Sequence, residues 1–359
     1  MIGLRIGLAL LVAGGLFCQQ TDQQAESDMR IGIALTREGR FQQAVPHFLS
    51  ARGRVAETFA LEFNLALGYV GTHEYRQAVQ ILTHLGGARP SAEVDNLLAQ
   101  ALIGDRQPEP ALQALQDAAQ LSPKNEKLYL LVSEACLDEG FYELGIQVLE
   151  IGLRNLPESA ALHFQRGLFR SQMEERDLAN RDFELAQRFS PGSDIAYIAA
   201  AQQAFLSGDV QKVIRTAREG ISRGHTHCLL LTMLGEALLR AGATPATPDE
   251  FGEAQEALER AVAERPGYSS AHIALGRIYL ARQRMEEAVT QLESARQLDP
   301  RNRALYSALA TAYRRSGQAE KAREALAALA ELNRQEAARI GSASGGHAGY
   351  TGGRSGPSR

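Results

Sequence analysis

One short segment of the chain places metal-ligating side chains close together. It reads His225-Thr226-His227-Cys228, and imidazole nitrogens and thiolates are the ligands that zinc prefers. A zinc site on this segment needs a further ligand from elsewhere in the chain. The alternative is that these are turn residues, with Cys228 at the first position of a helix. We therefore predict no metal site and keep His225, His227 and Cys228 as the one candidate.

No known catalytic motif occurs in the chain. The sequence lacks a P-loop, a Rossmann glycine fingerprint, a His-Glu-x-x-His helix and a nucleophile elbow. Its net charge of −4 at pH 7 argues against a nucleic-acid-binding protein, because such binding needs an excess of Lys and Arg along one face. We predict a protein that is not an enzyme, needs no cofactor and binds no nucleic acid. An enzyme with an unrecognised site is the least favoured alternative.

A period of 34 residues runs from about residue 25 to 336. Small residues fill the eighth position of each unit, namely Gly32, Ala66, Ala99, Ser133, Gly167, Ala201, Gly235, Gly276 and Ala310. Mostly large apolar residues fill the twenty-fourth, namely Phe48, Leu82, Leu115, Leu149, Phe183, Ala217, Leu258, Leu292 and Leu326. Proline ends six units, at Pro90, Pro123, Pro157, Pro191, Pro266 and Pro300.

This pattern of small, large and proline positions resembles the tetratricopeptide repeat family. The resemblance implies an all-α fold, a right-handed superhelical solenoid of about nine helix-turn-helix repeats. The repeats lie near 25–58, 59–91, 92–125, 126–159, 160–193, 194–227, 228–268, 269–302 and 303–336. We expect small residues at positions eight and twenty to face each other, and position 24 to fill the seam to the next repeat. A left-handed turn should end the first helix at Gly39, Gly140, Gly208 and Gly317.

In this family the first helix of each repeat lines a concave groove that holds an extended protein segment. Positions five and nine, carried over to the central repeats, give Phe63, Leu67, Asn96, Gln100, Leu130, Glu134, Phe164, Leu168, Ile198 and Gln202. Amides there would bind a partner backbone, and apolar residues would take its side chains. The alternative is that several apolar residues only pack neighbouring helices. None of these positions holds the Lys of the family's clamp for chaperone tails.

The two ends of the chain do not fit the repeat. Residues 1–24 are typical of an export signal, with Arg5 before an apolar run from Ile6 to Phe17. Cys18 and the residues before it resemble the lipidation box of bacterial lipoproteins, although Phe17 departs from that pattern. An uncleaved membrane anchor is the alternative. Residues 337–359 are predicted to be the end of the last helix and a disordered Gly/Ser-rich tail.

Two departures lie inside the repeats. The seventh repeat has seven extra residues near 243–250, which predict an extended surface loop. The last repeat lacks a separate capping helix, so its end is a candidate for pairing with a second copy. We expect a non-catalytic interaction scaffold of the bacterial periplasm or envelope that binds a protein or peptide and meets the membrane only through its N-terminal segment. The alternative is a membrane-anchored accessory subunit of an envelope complex.

Overall fold

A computed structural model of the protein describes residues 23–345, which form 18 helices and no strand. The predicted all-α fold class is confirmed. Most of the predicted leader, with Cys18, and most of the predicted tail lie outside the described residues. The chain divides into two compact units, Met1–Ala199 and Ala200–Arg359.

The helices occur in pairs, each made of a first and a second helix. In the first unit the pairs are α1 (23–37) and α2 (Phe41–Ala51), α3 (Thr58–Gly71) and α4 (Tyr75–Ala88), α5 (Ala92–Gly104) and α6 (Pro108–Leu121), α7 (Glu126–Glu139) and α8 (Tyr142–Asn155), and α9 (Ala160–Gln172) and α10 (Arg176–Phe189). The division between the units falls within α11 (Asp194–Leu206). The second unit continues with α12 (Val210–Ser222), α13 (Cys228–Arg240) and α14 (Pro248–Glu264), α15 (Ser269–Ala281) and α16 (Met285–Leu298), and α17 (Arg303–Arg315) and α18 (Ala319–Gly345).

The turn between the two helices of a repeat always contains a residue with positive φ at position fifteen. The four glycines predicted there have φ between 73° and 77°, at Gly39, Gly140, Gly208 and Gly317, and Gly242 of the seventh repeat has φ 103°. Other residues hold the same conformation in four repeats, with φ between 58° and 62°, at His73, Arg106, Glu174 and Gln283. The turn geometry is therefore kept even where glycine, the residue that adopts it without strain, is missing.

The small residue at position eight contacts the large residue at position 24 of its own repeat. A Cβ added at Gly167 would lie 2.7 Å from Cε1 of Phe183, and one at Gly235 would lie 2.5 Å from Cγ of Leu258. The same contact joins Gly32 to Phe48 and Gly276 to Leu292. In these four repeats position 24 therefore packs on the first helix of its own repeat, while its expected place in the seam to the next repeat stays a prediction.

The seam between repeats uses other positions. A Cβ added at Gly145, at position twenty, would lie 2.1 Å from Cε1 of Phe169 in the next repeat. Phe169 is completely buried. Small residues on a second helix thus admit large side chains from the first helix of the following repeat.

Position four ties the first helix of a repeat to the end of the repeat before it. The Tyr129 hydroxyl donates to the carbonyl of Pro123 at 2.8 Å, and the Tyr306 hydroxyl donates to that of Pro300 at 2.7 Å. Histidine Nε2 atoms make the same contact, from His163 to the Pro157 carbonyl at 3.0 Å and from His272 to the Pro266 carbonyl at 2.8 Å. In four repeats a ring at position four therefore binds the proline six residues earlier.

The insertion near 243–250 is divided between a loop and a longer helix. The helix α13 ends at Arg240 and α14 begins at Pro248, with 17 residues where α16 has 14. In the loop, the Thr247 hydroxyl donates to the Thr244 carbonyl at 3.0 Å and accepts from its N–H at 2.9 Å. The predicted extended loop is in part a hydrogen-bonded turn.

The last helix, α18, continues past the predicted end of the repeat and has 27 residues. Leu326 on this helix is 53% exposed, and pairing of the last repeat with a second copy stays a prediction. Between residues 23 and 345, no helix combines the length and the apolar character needed to cross a membrane.

We expect Gly235→Ala to lower the free energy of unfolding by about 1–3 kcal/mol, because the new Cβ must displace the buried Leu258 side chain. Gly252→Ala is the matched control in the same repeat, since open space surrounds Gly252. This control should raise the free energy of unfolding by up to about 1 kcal/mol through helix propensity. Urea-induced unfolding followed by circular dichroism measures both. Equal shifts in the two variants would contradict the close contact at Gly235.

Candidate functional site

The ten residues predicted to line a partner groove differ in their exposure. The buried ones are Asn96, Phe164 and Ile198. The half-buried ones are Phe63, Leu67, Gln100, Leu130 and Leu168 in the first unit and Gln202 in the second. The exposed one is Glu134.

The amide of Asn96 is bound within the chain. Its Nδ2 donates a 2.7 Å hydrogen bond to the backbone carbonyl of Leu128, and its Oδ1 accepts from Nε2 of Gln100 at 2.9 Å. Only 3% of Asn96 is exposed. Asn96 therefore ties α5 to α7, and its amide is not offered to the backbone of a partner.

Some of the apolar residues predicted to line the groove pack against neighbouring helices. The Phe164 ring lies 5.7 Å from the ring of Phe183, which is completely buried in the same repeat. Ile198 is 3% exposed. Phe63 and Leu67 pack against the core and remain half-buried. Phe164 and Ile198 therefore fit the alternative in which the apolar residues only pack neighbouring helices. Phe63 and Leu67 keep an accessible edge.

Two of the predicted residues, Gln100 and Glu134, line one cavity of about 180 Å³ that we call the α5–α7 cavity. Its other lining residues are Val70, His73, Tyr75, Gly104, Leu131, Ala135, Asp138 and Glu139. They come from α3, the turn that follows α3, and the helices α4, α5 and α7. Three neighbouring repeats of the first unit therefore build this site together.

The turn between α3 and α4 shapes one wall of the α5–α7 cavity. His73 is held at a positive φ of 62°, and its Nδ1 lies 2.6 Å from the Tyr75 hydroxyl oxygen. Gly104 makes room for the Tyr75 ring, since a Cβ there would lie 2.3 Å from Cε1 of Tyr75. The wall is therefore aromatic and fixed by packing.

The opposite wall, on α7, is acidic. Glu134 and Asp138 are exposed and lie one helical turn apart, and Leu131 beside them is 43% exposed. Glu139 is paired with Arg106, with 3.4 Å between Nη2 and Oε2. Carboxylates next to an exposed aliphatic side chain suit a cationic side chain with an aliphatic stem, such as Lys or Arg.

Position nine, which holds Gln100 and Glu134 in the first unit, carries both charges in the second unit. It is Glu236 on α13 and the exposed Arg277 on α15. Burial raises the pKa of Glu236, while the charges of Arg240 and Arg277 act to lower it. Arg314, also exposed, lies three residues after position nine on α17. The two units therefore do not offer the same chemistry.

A comparison with known families decides the nature of the repeat. Residues 248–296 and 286–343 match the family model described as tetratricopeptide repeat. The other helix pairs continue its register, because first helices start at residues 58, 92, 126, 160, 194 and 228, at intervals of 34. Residues 248–343 are therefore tetratricopeptide repeats, and the helix pairs before them repeat the same pattern.

Solved structures align with these tetratricopeptide repeats at low identity. A tetratricopeptide repeat protein from Parabacteroides merdae ATCC 43184 is 16% identical, with 71% of this chain and 98% of that chain covered and a TM-score of 0.48. A chain of the APC/C hetero-tetramer Cut9-Hcn1 is 14% identical, with 78% and 54% covered and a TM-score of 0.46, so this chain spans about half its length. Yeast Tom70 is 13% identical, with 87% and 92% covered and a TM-score of 0.41. Among curated proteins none matches the chain.

The candidate metal ligands lie where the sixth tetratricopeptide repeat meets the seventh. His227 precedes α13, and its Nδ1 accepts the backbone N–H of Leu229 at 3.2 Å. Cys228 is buried, and burial raises the pKa of its thiol. Across residues 23–345, no three His, Cys, Asp or Glu side chains are grouped so that they would hold a metal ion. The geometry of His227 is that of a helix cap.

A charged cluster buried in the fifth tetratricopeptide repeat is not evident from the pattern of small and large residues. The completely buried Asp182 on α10 accepts from Nη2 of Arg166 at 2.7 Å and from Nη1 of Arg170 at 2.7 Å, and His163 Nδ1 lies 3.3 Å away. Burial alone would raise the pKa of Asp182. Hydrogen bonds from His163 and Arg166 and the charges of both arginines outweigh it, so this pKa is lowered.

The same pair of positions is polar in two further repeats. His47 Nδ1 lies 2.8 Å from Oδ1 of Asp28, and His272 Nδ1 lies 2.7 Å from Oε1 of Gln291. Each pair, like His163 and Asp182, is separated by 19 residues. A histidine recurring with a polar residue at this spacing is the sequence signal that identifies these clusters.

At pH 7, Asp182→Asn should lower the free energy of unfolding by about 3–5 kcal/mol, because it leaves Arg166 and Arg170 without their buried counter-charge. The carboxylate of Asp182 stabilises the fold above the ordinary aspartate pKa of about 3.9. This stabilisation is lost as the pH falls through the lowered folded-state pKa, so the difference between the two proteins should shrink below about pH 4.

Glu253→Gln is the control for Asp182→Asn. It breaks the more exposed ion pair with Arg218 and should cost about 0–1 kcal/mol. Thermal unfolding at pH 7 and at lower pH compares the three proteins. A cost for Asp182→Asn that stays constant with pH would contradict the lowered pKa.

Proposed function

We propose that this protein is a non-catalytic scaffold of the bacterial cell envelope that binds an extended segment of a partner protein on the face formed by its first helices. Tetratricopeptide repeats are protein-interaction modules, which supports the general function. The repeats alone do not determine which segment is bound. That choice is proposed from the side chains of the first unit.

The α5–α7 cavity is the observation on which the proposal rests. Gln100 and Glu134, both named from the sequence register, lie in it beside Asp138 and the exposed Leu131. Gln100 lines this cavity, and its Nε2 donates to Oδ1 of Asn96. A segment with a Lys or Arg side chain would place its charge at Glu134 and Asp138 and its methylene groups on Leu131.

We expect the double substitution Gln100→Ala and Glu134→Ala to weaken capture of the partner at least about tenfold, because it removes a hydrogen-bonding group and a charge from the cavity. The matched control is Glu150→Ala, which removes an exposed carboxylate from α8, the second helix of the repeat that contains Glu134. Quantitative pull-down with the purified repeats measures both. Recovery of the same partners in equal amounts by all three proteins would refute the groove function.

The envelope location rests on the N-terminal residues. Arg5 and the apolar run from Ile6 to Phe17 have the composition of an export signal, and Cys18 follows it. The second candidate function, a membrane-anchored accessory subunit, is favoured by the same residues if Cys18 carries lipid or the apolar run is retained. In that case the repeats hold a partner at a distance from the membrane.

Removal of residues 1–24 should move the protein from the envelope fraction to the cytoplasm of a bacterial host, because the export signal is lost. Cys18→Ser is the discriminating variant. If it leaves the protein exported but releases it from the membrane, and metabolic labelling with fatty acid is lost with it, the anchored subunit is supported. Cytoplasmic full-length protein would contradict both versions of the envelope proposal.

A further inference from the structure

A second cavity of the first unit lies away from the residues assigned to the groove. It has a volume of about 590 Å³, and we call it the α2–α4 cavity. Its lining residues are Arg52, Thr58, Phe59, Glu62, Tyr69, Gln77, Gln80, Ile81, His84, Leu85 and Ala88. The lining comes from α3 and α4, together with Arg52, which directly follows α2.

Tyr69 on α3 is the unusual residue of this cavity. It is 9% exposed, and burial, followed by the charge of Glu74, raises the pKa of its hydroxyl. Within residues 23–345 this hydroxyl has no hydrogen-bond partner, and Tyr69 lines the cavity. The hydroxyl oxygen is not among the fully buried atoms, so it is open to a group that enters the cavity.

Two other repeats show how the same tyrosine is satisfied. The Tyr279 hydroxyl donates to Oε1 of Glu259 at 3.1 Å, and the Tyr313 hydroxyl donates to Oε1 of Glu293. In both pairs the carboxylate lies 20 residues earlier, on the second helix of the preceding repeat. The residue 20 positions before Tyr69 is Leu49, which is 45% exposed. The acceptor of the other repeats is therefore missing here.

The rest of the lining provides further donors and an apolar floor. Arg52 uses Nε and Nη2 for Glu62, at 2.7 Å and 2.8 Å, which leaves the Nη1 donors available. Phe59 and Ile81 are half-buried and Leu85 is buried. The only carboxylate of the lining, Glu62, is already occupied by Arg52. The cavity therefore offers donors to an incoming acceptor and apolar surface to its neighbours.

We propose that the α2–α4 cavity is a second docking site, in which a Glu or Asp of a partner protein accepts from Tyr69 and Arg52 while an adjacent aliphatic or aromatic side chain packs on Phe59 and Ile81. The two Tyr–Glu pairs within this chain are the chemical precedent for the contact. A carboxylate accepts hydrogen bonds more strongly than a neutral group does, so it is the better acceptor for the Tyr69 hydroxyl and for Nη1 of Arg52. This site does not depend on the proposed groove function.

The test uses the full-length chain and a set of acetylated, amidated pentapeptides. Glu stands at their centre, with Leu, Ile, Val or Phe on each side and Gly at both ends, and a second set carries Gln at the centre. Fluorescence polarisation should detect binding of Glu peptides at least about tenfold tighter than of their Gln counterparts, because a hydrogen bond to a charged group is the stronger one. Absence of any preference for Glu would overturn the proposal.

Substitutions locate the contact. Tyr69→Phe should weaken the best Glu peptide about tenfold, and Leu49→Glu should abolish its binding by supplying the missing acceptor from within the chain. Tyr279→Phe removes a hydroxyl that is already paired and should leave peptide binding unchanged, as should Leu49→Ala. Circular dichroism confirms that each variant is folded.

Unchanged binding in both Tyr69→Phe and Leu49→Glu would refute the site. Binding of free glutarate as tight as that of the peptides would refute a protein partner.

Discussion

The structure of four repeats depends on a steric constraint between their two helices. A small residue at position eight lets the large side chain at position 24 lie directly on the backbone of the first helix, as Phe183 does on Gly167. Since Phe183 is completely buried, its thickness sets the distance between α9 and α10. The distance between the two helices in turn fixes the positions that the turn at position fifteen and the seam to the next repeat must connect.

A polar constraint acts between repeats. The family's usual Trp at position four is absent, yet Tyr129 and His163 both bind the proline carbonyl six residues earlier. Tyr and His, like Trp, carry a donor on an aromatic ring, so the ring can fill space while its donor satisfies a carbonyl at the end of the preceding repeat. At His163 the other ring nitrogen faces the buried charge of Asp182. An apolar ring at this position would bind neither Asp182 nor the proline carbonyl.

The boundaries of the repeats could be predicted from the sequence because they follow from the residue types that recur at fixed positions. Period, turn positions and the all-α class follow from where Gly, Ala, Leu and Pro recur, and Gly140 adopts the expected left-handed conformation. Neighbours are harder to predict, because periodicity shows which positions are alike and not what each one touches. The contact of position 24 with position eight of its own repeat was therefore not predicted. Asn96 was assigned to a partner, although its amide reaches the Leu128 carbonyl 32 residues away.

Departures from the repeat carry more information about function than the repeat itself. Every position of a tetratricopeptide repeat can be compared with its copies in the same chain, and most polar groups prove to be satisfied internally. Asn96 is bound to Leu128, and Tyr279 to Glu259. The Tyr69 hydroxyl lacks the acceptor that its copies in two other repeats possess, and it is open to the α2–α4 cavity. This difference is understandable if the acceptor belongs to another molecule, because a donor held in place before binding needs no reorganisation when the partner arrives.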